Sequence, residues 1–94
     1  MTPSQQYIIN KAVNKLNKKD QIMKAAEECC ELAQAVLKSN CKENNYAIIT
    51  EIADVLVMIE QIKVIYNFSD EEINDEIDRK LQRLKYFLDT RKAV

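Results

Sequence analysis

The 94-residue chain is 47% hydrophobic and 31% charged, a mixture that suits one soluble globular domain with one modest core and excludes a disordered segment. Its 14 Lys and Arg nearly balance 15 Asp and Glu, and the net charge of −1 supplies no global attraction to nucleic acid or to an anionic membrane. Glycine is absent and Pro3 is the only proline, which disfavours a β-rich fold with its glycine-dependent tight turns and leaves an all-α chain with few, short connections.

Four helical segments are predicted in chain order. The first spans residues 3–16. Thr2 caps it, Pro3 suits its first turn, Gln5 completes a capping box, and Ile8, Ile9, Ala12, Val13 and Leu16 form an apolar stripe. The second spans residues 20–39 with Asp20 as N-cap, and it places Ile22, Ala25, Ala26, Cys29, Ala33, Val36 and Leu37 on one side. The polar, Asn-rich residues 40–45 read as the main connecting loop. The third segment, residues 46–66, is apolar on nearly every side, which predicts a central helix wrapped by its neighbours and ended by Asn67 in a left-handed conformation. The fourth, residues 70–91, opens with a Ser69–Glu72 capping box and with Asp70 and Glu71 at the positive end of the helix dipole. Ile73, Ile77, Leu81, Leu84 and Leu88 recur along it, and Arg79, Lys80, Arg83, Lys85, Arg91 and Lys92 crowd its second half and the chain end.

No signal pattern opens the chain, and the most apolar stretch, residues 46–59, carries two acids, so no membrane span is predicted. The three cysteines, Cys29, Cys30 and Cys41, include an adjacent pair and no CxxC, which is not a disulfide framework. They predict a reducing cytoplasm, with Cys29 and Cys30 as small core or near-core residues.

Two acidic clusters stand out, Glu27-Glu28-Cys29-Cys30-Glu31 and Glu51-Ile52-Ala53-Asp54. Residues three apart share a helix face, so Glu28 meets Glu31 and Glu51 meets Asp54, and like charges at that spacing repel. At about 100° per residue, the angular neighbours of Glu51 are Ile62, Met58, Val55, Ile65 and Ile48. A carboxylate in the middle of an apolar stripe has to be protonated, ion-paired or metal-bound. Lys80, Arg83 or a divalent metal are the cations available to it. Taken alone, the first cluster suits a solvated face, because Glu31 lies nearly opposite the Ile22–Cys29–Ala33 stripe. Antiparallel packing of the second and third helices would bring both clusters together as an all-oxygen site, the ligand set of hard cations such as Mg²⁺ or Mn²⁺.

The absence of histidine excludes histidine zinc sites, Glu-x-x-His di-iron ligands and Ser-His or Cys-His nucleophiles. The absence of glycine excludes a glycine-rich phosphate cradle. Phosphate chemistry in this chain would need carboxylate-held metal and basic side chains.

The pattern Glu27-Glu28-x-x-Glu31, nineteen intervening residues, then Glu51-x-x-Asp54 resembles the EExxE…ExxD motif of the MazG-like all-α nucleotide pyrophosphohydrolases. The resemblance implies a single domain over residues 1–94 with a four-helix bundle-like fold, two long central helices carrying the acidic motifs. It implies that Glu28, Glu31, Glu51 and Asp54 hold Mg²⁺, with Mn²⁺ as the other candidate. Glu27 would support those ligands or activate water, with Glu28 beside it in the catalytic set. The reaction implied is (d)NTP plus water giving (d)NMP and pyrophosphate, in house-cleaning or nucleotide-pool control. Lys80 and Arg83 are the nearest counterparts of the phosphate-binding residues on the last helix. A homodimer or dimer of dimers is implied, with sites built partly across the interface. The chain lacks the tryptophan or histidine that many relatives place near the base, so base recognition would fall to Tyr7, Tyr46, Tyr66, Phe68 or Tyr86, aromatics that otherwise read as core or interface packing. Two other readings fit the residues. One is a non-catalytic module dimerising through the first and fourth helices; the other is a regulator that binds nucleotide without cleaving it.

Overall fold

The computed structural model describes residues 1–39 and 46–91. Four helices follow in chain order, α1 (Pro3–Lys15), α2 (Lys18–Ser39), α3 (Tyr46–Tyr66) and α4 (Asp70–Thr90), with no strand among the described residues. The expected connection at residues 40–45, including Cys41, lies outside the described residues, as does Lys92.

Local capping chemistry sets most of the boundaries. Thr2 accepts the Gln5 amide while the Gln5 side chain accepts from the Thr2 amide, the expected capping box. Ser69 and Glu72 repeat that exchange at the start of α4. The start of α2 differs from expectation: the helix begins at Lys18, and the Asn17 side chain accepts the Asp20 amide at 3.0 Å. Asn17 therefore does the capping, and Asp20 contributes from the first turn, where a negative charge suits the helix dipole.

The end of α3 follows the expected course. Asn67 has φ 58°, the Phe68 amide donates to the Lys63 carbonyl at 2.9 Å, and the Asn67 amide donates to Val64 at 3.2 Å. These paired bonds form a Schellman turn around a left-handed residue. Tyr66 and Phe68 stack across it with centroids 5.5 Å apart. Lys63 then bridges Glu60 on α3 and Asp70 on α4. The Asp70 contact raises the Lys63 pKa above its ordinary value, and the same contact lowers that of Asp70.

The α2–α3 pair is the main packed unit, with α1 laid against α3. Seven residue-to-residue steps from Ser39 to Tyr46 reach at most about 25 Å, whereas a 21-residue helix is about 32 Å long. The two helices must therefore run antiparallel. The covered positions on α3 are Ile48, Glu51, Val55, Met58, Ile62 and Ile65, spaced alternately by three and four. That is the stripe expected around Glu51.

On α2 the covered positions are Gln21, Ala25, Glu28, Leu32, Ala35 and Ser39, again at heptad spacing. This corrects the expected α2 face in part, since Ile22 and Ala25 are covered as expected. Ala26, Cys29, Ala33, Val36 and Leu37 are exposed, Leu37 at 80%. The reason is that apolar residues surround α2, and the small residues Ala25, Ala35 and Ser39 admit the close approach of α3. Both Cys29 and Cys30 are consequently exposed rather than core residues.

Two further expectations are corrected. The third helix is covered all round only over residues 60–65; before them Ile49, Ile52, Leu56, Val57 and Ile59 are exposed. The fourth helix packs along none of the other three, so one chain does not close a four-helix bundle. Only Ile73 of the α4 stripe is half-buried; Ile77, Leu81, Leu84 and Leu88 are exposed. Among the described residues the buried apolar core reduces to Ile9 and Val13 of α1 and Met58 of α3, while Ile8 and Leu16 of the α1 stripe are exposed. No helix among the described residues is long and apolar enough to cross a membrane.

Replacing Asn67 by valine is expected to cost about 1–2 kcal/mol, the penalty of a β-branched side chain in the left-handed region, whereas glycine is neutral or mildly stabilising. Urea unfolding of both variants checks this, and equal losses would assign the effect to the Asn side chain instead of the backbone. The depressed pKa of Asp70 makes its contribution to stability present above the ordinary aspartate value and lost as pH falls through the lower folded value. The stability difference between the parent chain and Asp70→Asn should therefore be flat from about pH 5 to 8 and shrink below about pH 4. A difference that persists unchanged at strongly acid pH would remove the Lys63–Asp70 pair as its source.

Candidate functional site

The heptad seam between α2 and α3 brings acidic side chains together. Glu28 follows Ala25 by three and precedes Leu32 by four on α2, and Glu51 has the same relation to Ile48 and Val55 on α3. Each carboxylate therefore occupies a position that the helix repeat assigns to the interface. Glu28 is 7% exposed, Glu51 is half-buried, and Asp54, one turn further along α3, is exposed. One carboxylate oxygen from each of the three lies within 4.8 Å of the others.

The pairing of these oxygens is incomplete. Lys24 donates toward Glu28 Oε1 at 3.1 Å from one turn earlier on α2. Glu28 Oε2 and Glu51 Oε2 are buried with no hydrogen-bond partner. The hydrogen bond that Lys24 donates to Glu28, and the charge of Glu28, hold the Lys24 pKa above the ordinary lysine value. Glu31 is exposed and outside the close cluster. Its pKa is nevertheless raised, first by the charge of Glu28, then by desolvation and a side-chain hydrogen bond with Glu28, and less by the charge of Glu51. Glu27 sits at the solvent edge, 64% exposed, 3.6 Å from Lys24.

Of the four expected ligands, the structure thus gathers Glu28, Glu51 and Asp54 and leaves Glu31 on the rim. Lys24 was not among the expected residues, although its i,i+4 spacing to Glu28 is readable in the sequence. It takes the place expected of Lys80 or Arg83. Among the described residues, no ion pair joins either of those to the acids. Lys80 instead lies 3.7 Å from Glu76 on its own helix, and Lys80 and Arg83 line an open hollow formed by α4 alone, with Tyr86, Phe87 and Thr90. They fall there because α4 leaves the α2–α3 pair. The aromatic candidates Tyr7, Tyr46, Tyr66, Phe68 and Tyr86 are all exposed, so none is a core residue.

The cluster offers oxygen donors only, with neither nitrogen nor sulfur among its ligand atoms. Opposed oxygens on Mg²⁺ lie about 4.2 Å apart at metal–oxygen distances of about 2.1 Å, so oxygens spread over up to 4.8 Å could hold a hard cation of that kind after a small closure of the side chains. Exposed carboxylate clusters also occur without an ion; this one is set apart by its two buried, unpartnered oxygens. The chain matches no family model, no curated protein and no solved structure.

Glu51→Gln keeps the shape of the seam and removes a charge from it. Without divalent ions the variant is expected to be more stable than the parent by about 1 kcal/mol in urea unfolding. A loss of stability would mean that the Glu51 carboxylate already has a compensating partner.

Proposed function

We propose that the chain is a Mg²⁺-dependent nucleoside triphosphate pyrophosphohydrolase of the MazG-like kind. It would convert an NTP or dNTP and water to the monophosphate and pyrophosphate, in house-cleaning or control of the nucleotide pool. The observation that carries this reading is the convergence of Glu28, Glu51 and Asp54 within 4.8 Å on an antiparallel helix pair, with buried carboxylate oxygens left without protein donors. The EExxE…ExxD pattern in which those residues stand supports it from the sequence side.

Glu28, Glu51 and Asp54 hold the ion in this reading, and Glu31 joins them from the rim. Bound Mg²⁺ would offset charge on the phosphate oxygens and acidify a water molecule. Glu27, open to solvent beside Lys24, would accept the proton of the attacking water. Lys24 engages one Glu28 oxygen, which leaves the other free to ligate. Lys80 and Arg83 would neutralise the leaving pyrophosphate. In one chain they stand on a separate helix, so that role requires an assembly, a dimer or dimer of dimers, in which α4 of one copy reaches the acids of another. The same assembly would complete the four-helix bundle that one chain leaves open.

The decisive experiment incubates the protein with a panel of NTPs and dNTPs, with Mg²⁺ and with EDTA, and resolves pyrophosphate from orthophosphate. Mg²⁺-dependent release of monophosphate and pyrophosphate is expected, and Glu51→Gln should lower it by more than about 100-fold, the scale of losing one preorganised electrostatic contact. Full activity in that variant would sink the mechanism. The open apolar stripe of α4 favours a second reading, a non-catalytic dimerisation module. A folded protein that turns over no nucleotide in Mg²⁺ would select that reading, or a nucleotide-binding regulator if nucleotide still binds.

A further inference from the structure

We infer that Gln21 and Gln61 form a buried amide pair across the α2–α3 seam, and that this pair is the register lock that holds Glu28 opposite Glu51 and Asp54. Both are positioning residues. Their effect on a bound ion rests on the metal-binding reading above, whereas the lock itself does not.

Gln21 is 4% exposed and Gln61 8%, as deep as Glu28, yet neither belongs to the acidic cluster. Their spacing ties them to it. Gln21 precedes Glu28 by one heptad on α2, and Gln61 follows Asp54 by one heptad on α3. In an antiparallel pair, a heptad back on one helix and a heptad forward on the other move the same way along the seam. The repeat that brings Glu28 to Asp54 therefore brings Gln21 to Gln61.

The two amides are satisfied in complementary halves. Gln21 Nε2 donates to the carbonyl of Leu16 at 3.1 Å and to that of Asn17 at 3.4 Å, in the turn between α1 and α2. Reversing this amide would forfeit both bonds, so its Oε1 stays turned away from them, buried and without a donor. Gln61 Nε2 reaches only the Met58 sulfur, 3.5 Å away on its own helix, and a thioether is a weak acceptor. Rotation about the last torsion of Gln61, which is broad and roughly two-fold, carries that nitrogen from the sulfur to Gln21 Oε1. The completed pair joins the α1–α2 turn, α2 and α3. It also resists sliding. One heptad is the smallest shift that returns both stripes to the seam, and it displaces the acids from one another by about 10 Å. The same shift carries Gln21 either to Asp54, an acceptor without a donor when ionised, or past Tyr66, where α3 ends. A buried polar residue at an interface position of paired helices sets register in this way, at a cost in stability.

Urea unfolding of Gln21→Leu, Gln61→Leu and the double variant tests the pair. Each single change should lower the folding equilibrium constant, and the double variant should be less damaged than the product of the two by about tenfold. Effects that simply multiply, or a double variant that does not fold, overturn the pair. Register is read as a distance between spin labels at Met23→Cys and Ile49→Cys, two exposed positions far apart along the seam, so a slide in either direction changes their separation. The labelled chain carries Cys29→Ser, Cys30→Ser and Cys41→Ser and is diluted in unlabelled protein. One narrow distance is expected with both glutamines present, and a second distance in the double leucine variant; a single unchanged distance there overturns the lock. Mn²⁺ binding, followed by the electron resonance of the free ion, tests the link to the acids. The double variant should bind at least about tenfold more weakly than the parent, and equal affinity overturns the positioning role. A parent that binds no Mn²⁺ removes the metal site instead, and the label distances alone then decide the lock.

Discussion

The structure depends on a seam whose helix repeat assigns interface positions to carboxylates. Between α2 and α3, Glu28 and Glu51 occupy positions that a helical hairpin built for stability alone would give to leucine or isoleucine. Their burial removes water from charged oxygens without returning a full set of donors, and Lys24 offsets only one of them. The neighbouring positions are small: Ala25, Ala35 and Ser39 bring the helices close and contribute little apolar area of their own. A seam of this kind stabilises weakly, so the position of the acids has to be held by geometry at its margins. Met58 against the α1–α3 contact, with Ile9 and Val13, supplies that margin.

The path of α4 follows from the turn before it. Asn67 reverses the chain in the left-handed region, the Schellman bonds fix Phe68, and Lys63 ties Asp70 to the last turn of α3. These contacts determine where α4 begins and aim it away from the α2–α3 pair. The exposed faces of α3 and α4 are therefore not leftovers of poor packing: each is continuous, apolar and regularly spaced, whereas surface apolar residues in a finished monomer are scattered. Solvent exposure of that order is costly in an isolated chain and unremarkable in an assembly.

Much of this was legible in the residues, for reasons that differ by element. The helices and their caps follow from local chemistry, so the Thr2–Gln5 and Ser69–Glu72 boxes and the Asn67 turn could be read directly. The burial of Glu51 was legible because α3 surrounds it with β-branched and long apolar residues at spacings of three and four. The face of α2 was not. Ala, Cys and Val encircle that helix, periodicity offers more than one stripe, and the choice falls to close approach, which depends on where the small residues lie in three dimensions. Lys24 was missed because a lysine one turn before a glutamate is common on any surface helix, and only the burial of Glu28 makes it matter. The departure of α4 could not be read either, since an amphipathic pattern states that a face is covered without saying by which chain.

Charge arithmetic bears on what the acidic cluster can hold. Glu28, Glu51 and Asp54 carry a formal −3, and Lys24 returns +1, leaving −2 around the unpartnered oxygens. A second ammonium would neutralise half of that and needs hydrogen-bond lengths near 2.8 Å. A divalent cation matches the whole of it at metal–oxygen distances of about 2.1 Å, with room for water in the remaining positions. The exposure of Asp54 and Glu31 on the rim leaves one side of the cluster open, so an ion held there would keep coordination positions facing solvent. An ion with free positions, flanked by a solvated carboxylate such as Glu27, can do chemistry on a phosphate, whereas a fully enclosed ion can only brace the fold. The donor count, the residual charge and the open side are what the proposed metal site would require, and none of them depends on the resemblance in sequence.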